Sequence, residues 1–467
     1  QIHRLRQIGR RDPLAVLADP TVTPDWLAGV ERVIVLATAD PVSAAITGLE
    51  VRARELPIDV VVYAAETEAD HFDAWGRPVA SAWTDRLLPI ADFEQRVHVS
   101  ADPSAQSVRI ADLARQYRVG SGRLDGWLAI GIADPEILAG IEGEAVRHGV
   151  PVYNPEGRRH RYGALYQLLS AVAQAARSPT FEAVIALARC PDFLAYLERR
   201  VGDSFSAANF LRALDDLNAR HLPADLDAAR RHAPGSLSAV LAAIDDVLAT
   251  IAREPFPEGV STVLGTVFEG RRIDPTRGDD AWLQDAAAAW TSVMRECAVA
   301  RAAFGALGPF DWWELALRAF GDARVAEDKP VGALDLQGWL ELTFEDAPHL
   351  VIGGFNDGLV PDAIAGDAFL PESLRVQLGL KSNAMRLARD AYLLHAIVAS
   401  RLGAGRVDLL LGKTSATGDP LRPSRLLFRC PDAELPARVA FLFRTPEVPD
   451  SHLPWTRAWK LRPERVT

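Results

Sequence analysis

Cysteine is scarce in this chain, with three residues among 467, namely Cys190, Cys297 and Cys430. An odd number of cysteines at such wide spacing forms neither a disulfide framework nor the paired spacing of a zinc site. A reducing compartment suits this composition, and we therefore expect a cytoplasmic protein.

Net positive charge is also missing, because 51 Lys and Arg residues stand against 62 Asp and Glu residues, a net charge of -11. This balance excludes a protein that coats nucleic acid or an anionic membrane by bulk charge. Any contact with nucleic acid must then use local groups of cations. The sequence also lacks apolar runs of the roughly 20 residues that span a bilayer, so no membrane partner is expected.

Methionine occurs only as Met294 and Met385, and the first residue is Gln1. We therefore expect the chain to be a piece of a longer protein. Its length corresponds to about three domains. The hydrophobic share of 49% and the charged share of 24% are those of ordinary globular proteins, which excludes disordered and fibrous chains.

A strand–helix–strand pattern recurs in the first third of the chain. Strand-like apolar runs occur at 33–36, 59–63, 97–99, 127–132 and 150–153. Continuous β-branched runs, unlike alternating ones, are typical of parallel strands that helices cover on both faces. The sequence thus predicts an α/β fold with a parallel sheet.

Ala- and Leu-rich helical segments occupy about 163–323, and strand-like runs return at 349–355 and 407–411. The simplest account is an α/β domain interrupted by an all-helical insertion. Repeats at a fixed period and low-complexity tracts are not found in the sequence.

Two motifs contain the residue types of catalytic centres, but the residues around them do not fit that role. The run 412–414 (Gly-Lys-Thr) resembles the end of a phosphate-binding loop, but Val407 stands where that loop needs its first glycine. Asp311 with 327–329 (Glu-Asp-Lys) resembles a nuclease metal site, yet Asp311 opens a helical run, where capping is its ordinary role. The residues alone therefore nominate neither a catalytic centre nor a metal site.

The most informative stretch is 351–425. A buried strand ends in the loop 353–358 (Gly-Gly-Phe-Asn-Asp-Gly), at the end of the sheet where open α/β folds bind ligands. A helix at about 383–401 follows, with Arg386 and Arg389 on one face and Arg401 at its C-terminus, where a cation suits the helix dipole. The alternative interpretation is a solvated basic helix face that contributes little.

Four pieces of this stretch resemble, in the same order, the second RecA-like domain of AddB-type helicase-nuclease subunits, relatives of the UvrD/RecB-like superfamily 1 helicases. The pieces are GGFNDGLVP at 353–361, LPESLRVQLGL at 370–380, RLARDAYLL at 386–394 and PSRLL at 423–427. The segments 97–116 and 133–157 are similar to the same domain more weakly.

The resemblance implies RecA-like parallel-sheet domains with an inserted all-helical domain. Residues 1–95 are then the C-terminal part of the first RecA-like domain, 96–160 with 325–430 form the second, 161–324 form the insertion, and 431–467 lead toward a C-terminal nuclease domain. The implied function is processing of double-strand DNA breaks for recombinational repair. DNA ends with single-stranded tails and an AddA-type subunit are the implied partners. ATP with Mg²⁺ and an iron–sulfur cluster are implied for the full complex, and no cofactor for this segment.

The family's functional positions map onto particular residues. Positions close to nucleotide are Gln337, Gly338 and Glu341 in a coupling loop, and Arg386 and Arg401 in the motif that reaches the γ-phosphate. The loop signature comprises Gly354, Asn356, Asp357, Gly358 and Pro361. Gln337 stands where active relatives carry lysine, and Asp357 where they carry glutamate. The implied role is therefore a scaffold that guides DNA strands rather than a motor.

Local basic runs are the candidate DNA contacts in an acidic chain. They are Arg158, Arg159, His160 and Arg161; Arg271, Arg272 and Arg277; and, in the run 4–11, Arg4, Arg6, Arg10 and Arg11. The alternative for each is a solvated face. Trp75 and Trp83 are candidates for stacking on bases, with core packing as their alternative. The competing function is a degenerate RecA-like protein-interaction subunit without DNA binding.

Overall fold

The computed structural model describes residues 12–446, apart from 23, 37–38, 118–123, 203–204, 255, 275, 304–306, 326–327, 365, 368 and 404. Residue contacts divide the chain into two compact units. The α/β unit contains the described residues up to Asn154 and from Lys329 onward, and the helical unit is Pro155–Asp328. The run 4–11 and the end of the predicted 431–467 linker lie outside the described residues.

The strands are β1 (Val33–Leu36), β2 (Ile58–Val61), β3 (Val97–Ser100), β4 (Leu128–Ile132), β5 (Val152–Tyr153), β6 (Arg158–Arg159), β7 (Arg324–Val325), β8 (Leu334–Gly338), β9 (His349–Gly353) and β10 (Arg406–Gly412). The α-helices are α1 (Pro13–Leu17), α2 (Ser43–Arg52), α3 (Ala80–Trp83), α4 (Phe93–Arg96), α5 (Pro103–Gln116), α6 (Leu138–Arg147), α7 (Ala164–Arg177), α8 (Phe181–Ala188), α9 (Pro191–Val201), α10 (Ala207–His221), α11 (Leu226–His232), α12 (Gly235–Arg253), α13 (Glu258–Val267), α14 (Gly278–Ala303), α15 (Pro309–Asp322), α16 (Glu372–Gln377), α17 (Asn383–Ala399) and α18 (Leu435–Leu442).

Six strands of the α/β unit form one all-parallel sheet in the order β3-β10-β9-β4-β8-β5. Successive residues of a strand point to opposite faces, so Leu350 and Ile352 pack into the core beneath α17, whereas Val351 packs into the core beneath α5. Strands β4, β9 and β10 are almost wholly buried. The mixed α/β class and the parallel sheet predicted from continuous apolar runs are confirmed.

The first strand–helix–strand pattern forms a separate two-stranded parallel sheet, β1 with β2. The prediction that these strands are buried on both faces is wrong. Ile34, Leu36 and Val61 are at least half exposed, because only one face of this small sheet is covered by helix in the described residues. A continuous apolar run therefore predicted the strands correctly but not their burial.

The helical unit packs helices α7 to α15 around one apolar core. A short antiparallel pair, β6 with β7, joins its two ends. Because this pair closes the unit, its limits at 155 and 328 lie outside the predicted insertion of 161–324.

Asp311 caps α15 from inside the first turn, where its carboxylate accepts the N–H of Gly308 at 3.1 Å. The nuclease interpretation of Asp311 also needed Glu327, which lies outside the described residues. Over the described part of the chain, no helix is both long and apolar enough to cross a membrane.

Candidate functional site

The loop after β9 contains the signature residues Gly354, Asn356, Asp357, Gly358 and Pro361. Asn356 is fully buried, and its amide nitrogen donates to the carbonyl oxygens of Gly412 at 2.8 Å and Arg422 at 3.0 Å. Its side-chain oxygen accepts the N–H of Gly412 at 3.0 Å. The side-chain amide of Asn356 therefore joins the loop to the end of β10. It is not available to a ligand.

The remaining loop residues are equally engaged. The carboxylate of Asp357 accepts two hydrogen bonds from the guanidinium of Arg425, at 2.6 and 2.9 Å. The carbonyl of Pro361 accepts the N–H of Gly358 at 3.2 Å. The Asp357–Arg425 pair joins the first of the four resembling pieces to the last, so these pieces form one interlocked structure.

The crevice between β4 and β9 is closed. It is the switch point of the sheet, because the helix after β4 packs beside α5 whereas the helix after β9 covers the other face. Gly354, at φ +83°, lies so close to Asp134 that an added Cβ would come within 2.4 Å of the Asp134 backbone nitrogen. Gln106 also reaches into the crevice, where its oxygen accepts the N–H of Gly354 at 2.9 Å. Open α/β sheets are expected to bind ligands here, between the loop after β4 and the loop after β9. In this structure the space between the two loops is filled, so no ligand fits.

The coupling-loop residues follow the same pattern of internal pairing. Gln337 donates from its side-chain amide to the carboxylate of Glu345. The coupling-loop expectation is wrong for Gln337 and Gly338, because both belong to strand β8. Glu341 follows the strand, and its N–H bonds to the carbonyl of Gly338 at 3.2 Å. The side-chain amide that replaces lysine is thus used within the protein.

Arg386 and Arg389 belong to a charge-balanced group at the N-terminal half of α17. Arg386 pairs with Asp362. Arg389 is buried and donates to Asp390 at 2.8 and 3.0 Å and to Asp40 at 2.9 Å. Burial raises the pKa of Asp40, but its bonds with Arg389 and with a nearby lysine outweigh this and hold the pKa below its usual value. This half of the predicted basic helix face is neutralised rather than solvated.

Arg401 lies two residues beyond the C-terminus of α17 and is buried without a counter-ion. Its guanidinium donates to the carbonyl oxygens of Ala347 at 3.1 Å, Glu345 at 2.5 Å and Ile397 at 3.3 Å. Among the described residues no carboxylate oxygen forms an ion pair with it. Burial lowers the pKa of Arg401, since the carbonyl oxygens replace only part of its hydration.

A cavity of about 510 Å³ opens beside Arg401, at the edge of the sheet where β9 and β10 begin. Tyr63, Phe344 and Asp346 contribute to its lining. The hydroxyl of Thr343, another lining residue, is buried without a hydrogen-bond partner in the described part of the chain. The cavity thus combines aromatic rings, an unpaired cation and an orphaned hydroxyl.

The structure separates the two arginines that the resemblance assigns to the γ-phosphate. Fifteen residues at 1.5 Å per residue place Arg386 and Arg401 roughly 20 Å apart along the helix axis. Arg386 is engaged by Asp362, which leaves Arg401 as the one of the two that lines a cavity. Among the described lining residues Arg401 is the one cation, beside the acids Glu345 and Asp346, and this is too little positive charge to hold a triphosphate.

Three of the six predicted DNA-contact arginines within the described residues are paired with acids of the helical unit. Arg271 bonds to Asp192 and, at 3.0 Å, to Asp280. Arg159 and Arg161 both pair with Asp322. These contacts favour a structural role for the three arginines.

The other residues predicted to contact DNA have different surroundings. Arg158 lies over the ring of Trp282 at 5.4 Å. Arg272 is exposed and has no partner among the described residues. Trp83 is fully buried and Trp75 is partly buried, so for Trp83 the core-packing alternative is confirmed.

A basic–aromatic cluster that sequence reasoning missed lies where β10 ends. It consists of Lys413, Arg422, Phe443 and Arg444, here called the Phe443 cluster. The ammonium of Lys413 lies 5.2 Å from the ring centre of Phe443, which is 59% exposed. Arg444 is exposed, and its guanidinium lies 4.1 Å from the ring centre of Phe441. Arg422 is also exposed and follows Leu421, whose N–H bonds to the carbonyl of Lys413 at 2.7 Å. No carboxylate pairs with these three cations in the described ranges.

Lys413 shows why the phosphate-loop interpretation of 412–414 fails. Its ammonium donates to the carbonyl oxygen of Leu442 at 2.7 Å, and burial lowers its pKa. Strand β10 runs directly into Gly412, as the sequence predicted, and leaves no loop to surround a phosphate. The turn after β10 instead places Lys413 beside the ring of Phe443, which lies 30 positions later in the chain.

In the part of the chain that the structure describes, no group of three or more His, Cys, Asp and Glu side chains is arranged to hold a metal ion. Comparison with protein-family models gives no match to the chain. The curated proteins likewise contain no sequence that matches it.

Proposed function

We propose that this chain is the helicase-like, DNA-handling portion of an ATP-dependent helicase-nuclease that processes double-strand breaks, with RecA-like domains and an inserted helical domain. The order of the four sequence pieces and the parallel six-stranded sheet support this proposal. Its role is to guide DNA as a scaffold beside an AddA-type motor subunit.

Internal pairing at the nucleotide-proximal positions supports a scaffold over a motor. The amide of Gln337 is bound to Glu345, and Arg386 is bound to Asp362. Phosphoryl transfer needs cations that are available to the transferred group. A motor would have to break these internal bonds in every cycle, whereas a scaffold keeps them.

The observation that carries DNA binding is the Phe443 cluster. Single-stranded nucleic acid is bound by cations that follow the phosphates and by aromatic rings on which bases stack. Phe443 presents an exposed ring with the ammonium of Lys413 over it, and Arg422 and Arg444 are exposed on the adjoining segments; none of the three cations has an acidic partner among the described residues. The net charge of -11 does not oppose this, because counter-ion release depends on the phosphates contacted.

Fluorescence anisotropy with a labelled thymidine oligonucleotide, between about 50 and 200 mM salt, tests the proposal. We expect Phe443→Ala to weaken binding by about 1–3 kcal/mol. Arg422→Gln and Arg444→Gln should each reduce the slope of log affinity against log salt by about 0.7.

Arg220→Gln is the matched control, since Arg220 is exposed in the helical unit and the charge change is the same. Its slope should equal that of the unmodified chain. Absence of binding at low salt, or equal affinities for all variants, would favour the competing function of a protein-interaction subunit that does not bind DNA.

A further inference from the structure

The cavity beside Arg401 belongs to the α/β unit and takes no part in the proposed DNA contact. Its volume of about 510 Å³ lies in the range of roughly 300–1,000 Å³ that is typical of small-molecule sites. Two aromatic rings contribute to its lining, since Tyr63 is 50% exposed and Phe344 is 58% exposed. Small-molecule sites combine such rings with a few polar groups that orient the ligand. The polar groups of the cavity therefore identify the class of ligand.

The guanidinium of Arg401 is committed to the protein. A guanidinium has five N–H donors, and Arg401 already forms four hydrogen bonds. Three of them go to carbonyl oxygens, those of Ala347, Glu345 and Ile397. The fourth goes to the hydroxyl of Ser400 at 2.9 Å. Arg401 is also only 6% exposed, so it offers little to an anionic ligand.

Acids outnumber cations in the lining of the cavity. Glu345 and Asp346 stand against Arg401, which is two negative charges to one positive, or -1. The carboxylate of Glu345 accepts the N–H of Ala347 at 2.8 Å and the side-chain amide of Gln337. Asp346 is exposed, and in the described part of the chain no donor bonds to its carboxylate. This unengaged negative charge favours a cationic ligand and opposes an anion.

A second acceptor in the lining is the hydroxyl of Thr343. This residue is 7% exposed, and its hydroxyl has no hydrogen-bond partner among the described residues. A buried polar group without a partner costs free energy, which a donor from a ligand would recover. The carboxylate of Asp346 can only accept hydrogen bonds. A ligand with several N–H groups therefore satisfies both side chains.

An unengaged carboxylate, an unpartnered hydroxyl and two half-exposed rings all suit one chemical group. A guanidinium is a cation, has five N–H donors and stacks its flat face on aromatic rings. A quaternary ammonium has no N–H for the hydroxyl, and a primary ammonium has no flat face for the rings. We propose that the cavity binds a guanidinium group with an apolar stem. Asp346 and Thr343 accept its N–H groups, and the rings of Tyr63 and Phe344 contact its flat face and stem.

Saturation-transfer NMR with the 467-residue chain tests this site. The probe is butylguanidinium, and the control ligand is butylurea, which has the same shape but no charge. We expect saturable binding of butylguanidinium and binding of butylurea that is weaker by about tenfold or more, the loss typical of a charged hydrogen bond. N-acetylarginine methylamide then distinguishes two sources of the group. Equal affinity for it indicates an arginine side chain of another protein, and weaker affinity indicates a free small molecule.

Variants of the lining locate the bound group. Asp346→Asn should weaken butylguanidinium binding about tenfold, because it removes the charge and keeps the shape. Asp432→Asn is the control, since Asp432 is exposed in the same unit and does not line the cavity. Phe344→Ala should weaken binding about two- to fivefold, as expected for an exposed cation–π contact. Phe369→Ala, at a ring that is 91% exposed outside the lining, should leave the affinity unchanged.

Thr343→Val tests the hydroxyl separately. It should weaken butylguanidinium binding about tenfold without lowering the melting temperature, because it removes a buried hydroxyl that has no partner in the described structure. A merely structural threonine would give a lower melting temperature and an unchanged affinity.

Three results would each overturn the proposal: no saturable binding of butylguanidinium, equal affinities for butylguanidinium and butylurea, or equal affinities of Asp346→Asn and Asp432→Asn. No nucleic acid enters these measurements, so their failure is distinguishable from failure of the proposed function.

Discussion

Two buried arginines at opposite ends of helix α17 are compensated in different ways. At the carboxyl edge the crevice is filled by Gly354 against Asp134, and Arg389 is neutralised by Asp390 and Asp40. At the amino edge Arg401 is held by carbonyl oxygens alone and lines a cavity. Arg389 lies within α17, and Arg401 follows its C-terminus.

The difference shows that an arginine's chemistry is decided by its neighbours and not by its helix. Asp40 and Arg389 are 349 positions apart in the chain. A buried cation with carboxylate partners belongs to a charge-balanced network, whereas Arg401 depends on the dipoles of carbonyl oxygens for its compensation.

The largest expected effect is at Asp390, in the closed carboxyl edge. Its carboxylate accepts bonds from Arg389, from the indole of Trp339 at 3.0 Å and from the N–H of Asp362 at 2.9 Å. Asp390→Ala leaves Arg389 partly uncompensated in the core, and we expect about 3–5 kcal/mol less unfolding free energy. Urea unfolding measures it. Asp362→Ala, at a side chain that is 41% exposed, is the control and should cost less than about 1 kcal/mol; equal losses would contradict the assignment.

The next effect tests whether the crevice between β4 and β9 is closed. Gly354→Ala combines a positive φ with a clash against Asp134, and we expect a loss of about 3 kcal/mol in unfolding free energy. Gly358 also has a positive φ, but an added Cβ there meets no atom within 4 Å of the described structure. Gly358→Ala should therefore cost about 1 kcal/mol. If thermal unfolding gives the two variants the same loss, the close approach to Asp134 is not confirmed.

Arg401→Met sharpens the comparison between the two edges. Methionine keeps the apolar length of the side chain but leaves the carbonyl oxygens of Ala347 and Glu345 without a donor. We expect a loss of about 1–3 kcal/mol, measured by urea unfolding. Arg389→Met strands Asp390 as well and should cost about 3–5 kcal/mol. Equal losses for the two arginine variants would remove the distinction between a paired and an unpaired cation.

The smallest effect is a pH dependence at the amino edge. Burial lowers the pKa of His349, the first residue of β9, whose ring stacks on Tyr117 at 4.7 Å. Below about pH 6.5 the unfolded chain binds a proton that the folded imidazole does not. The contribution of His349 to the unfolding free energy is therefore fully present above that pH and is lost as the pH decreases.

His349→Phe should make the unfolding free energy fall less steeply on acidification, and unfolding titrations at several pH values measure this. Trp127→Phe is the control, because Trp127 contacts the same ring but does not titrate. An unchanged pH slope in His349→Phe would show that other groups account for the acid sensitivity.

Local sequence signals predicted most strands but missed β8 (Leu334–Gly338) and the short pair β6 and β7. The runs 33–36 and 407–411 correspond to β1 and β10 within one residue at each end. The predicted helix at 383–401 is α17. These elements depend on short-range patterns of apolar residues. Burial of β1 was mispredicted, since the covering of a strand depends on elements distant in sequence.

The candidate site was less accessible to sequence reasoning. Arg271 was a predicted DNA contact because of its basic neighbours, yet Asp192, 79 positions earlier, engages it. The Phe443 cluster was missed because Lys413 and Phe443 are 30 positions apart. The sequence did contain a signal for this cluster. Phe443 and Arg444 follow a helix, and Lys413 follows the end of a strand.

The sequence by itself determined the class of fold, the positions of five of the six strands of the main sheet and the order of the four pieces that motivate the proposed function. Only the tertiary structure decided which cations are compensated and which face solvent or a cavity. The physical reason is that an ion pair acts over a few ångströms, whereas the residues that form it here are brought together from opposite ends of the chain. Arg389 and Arg401 differ for that reason alone.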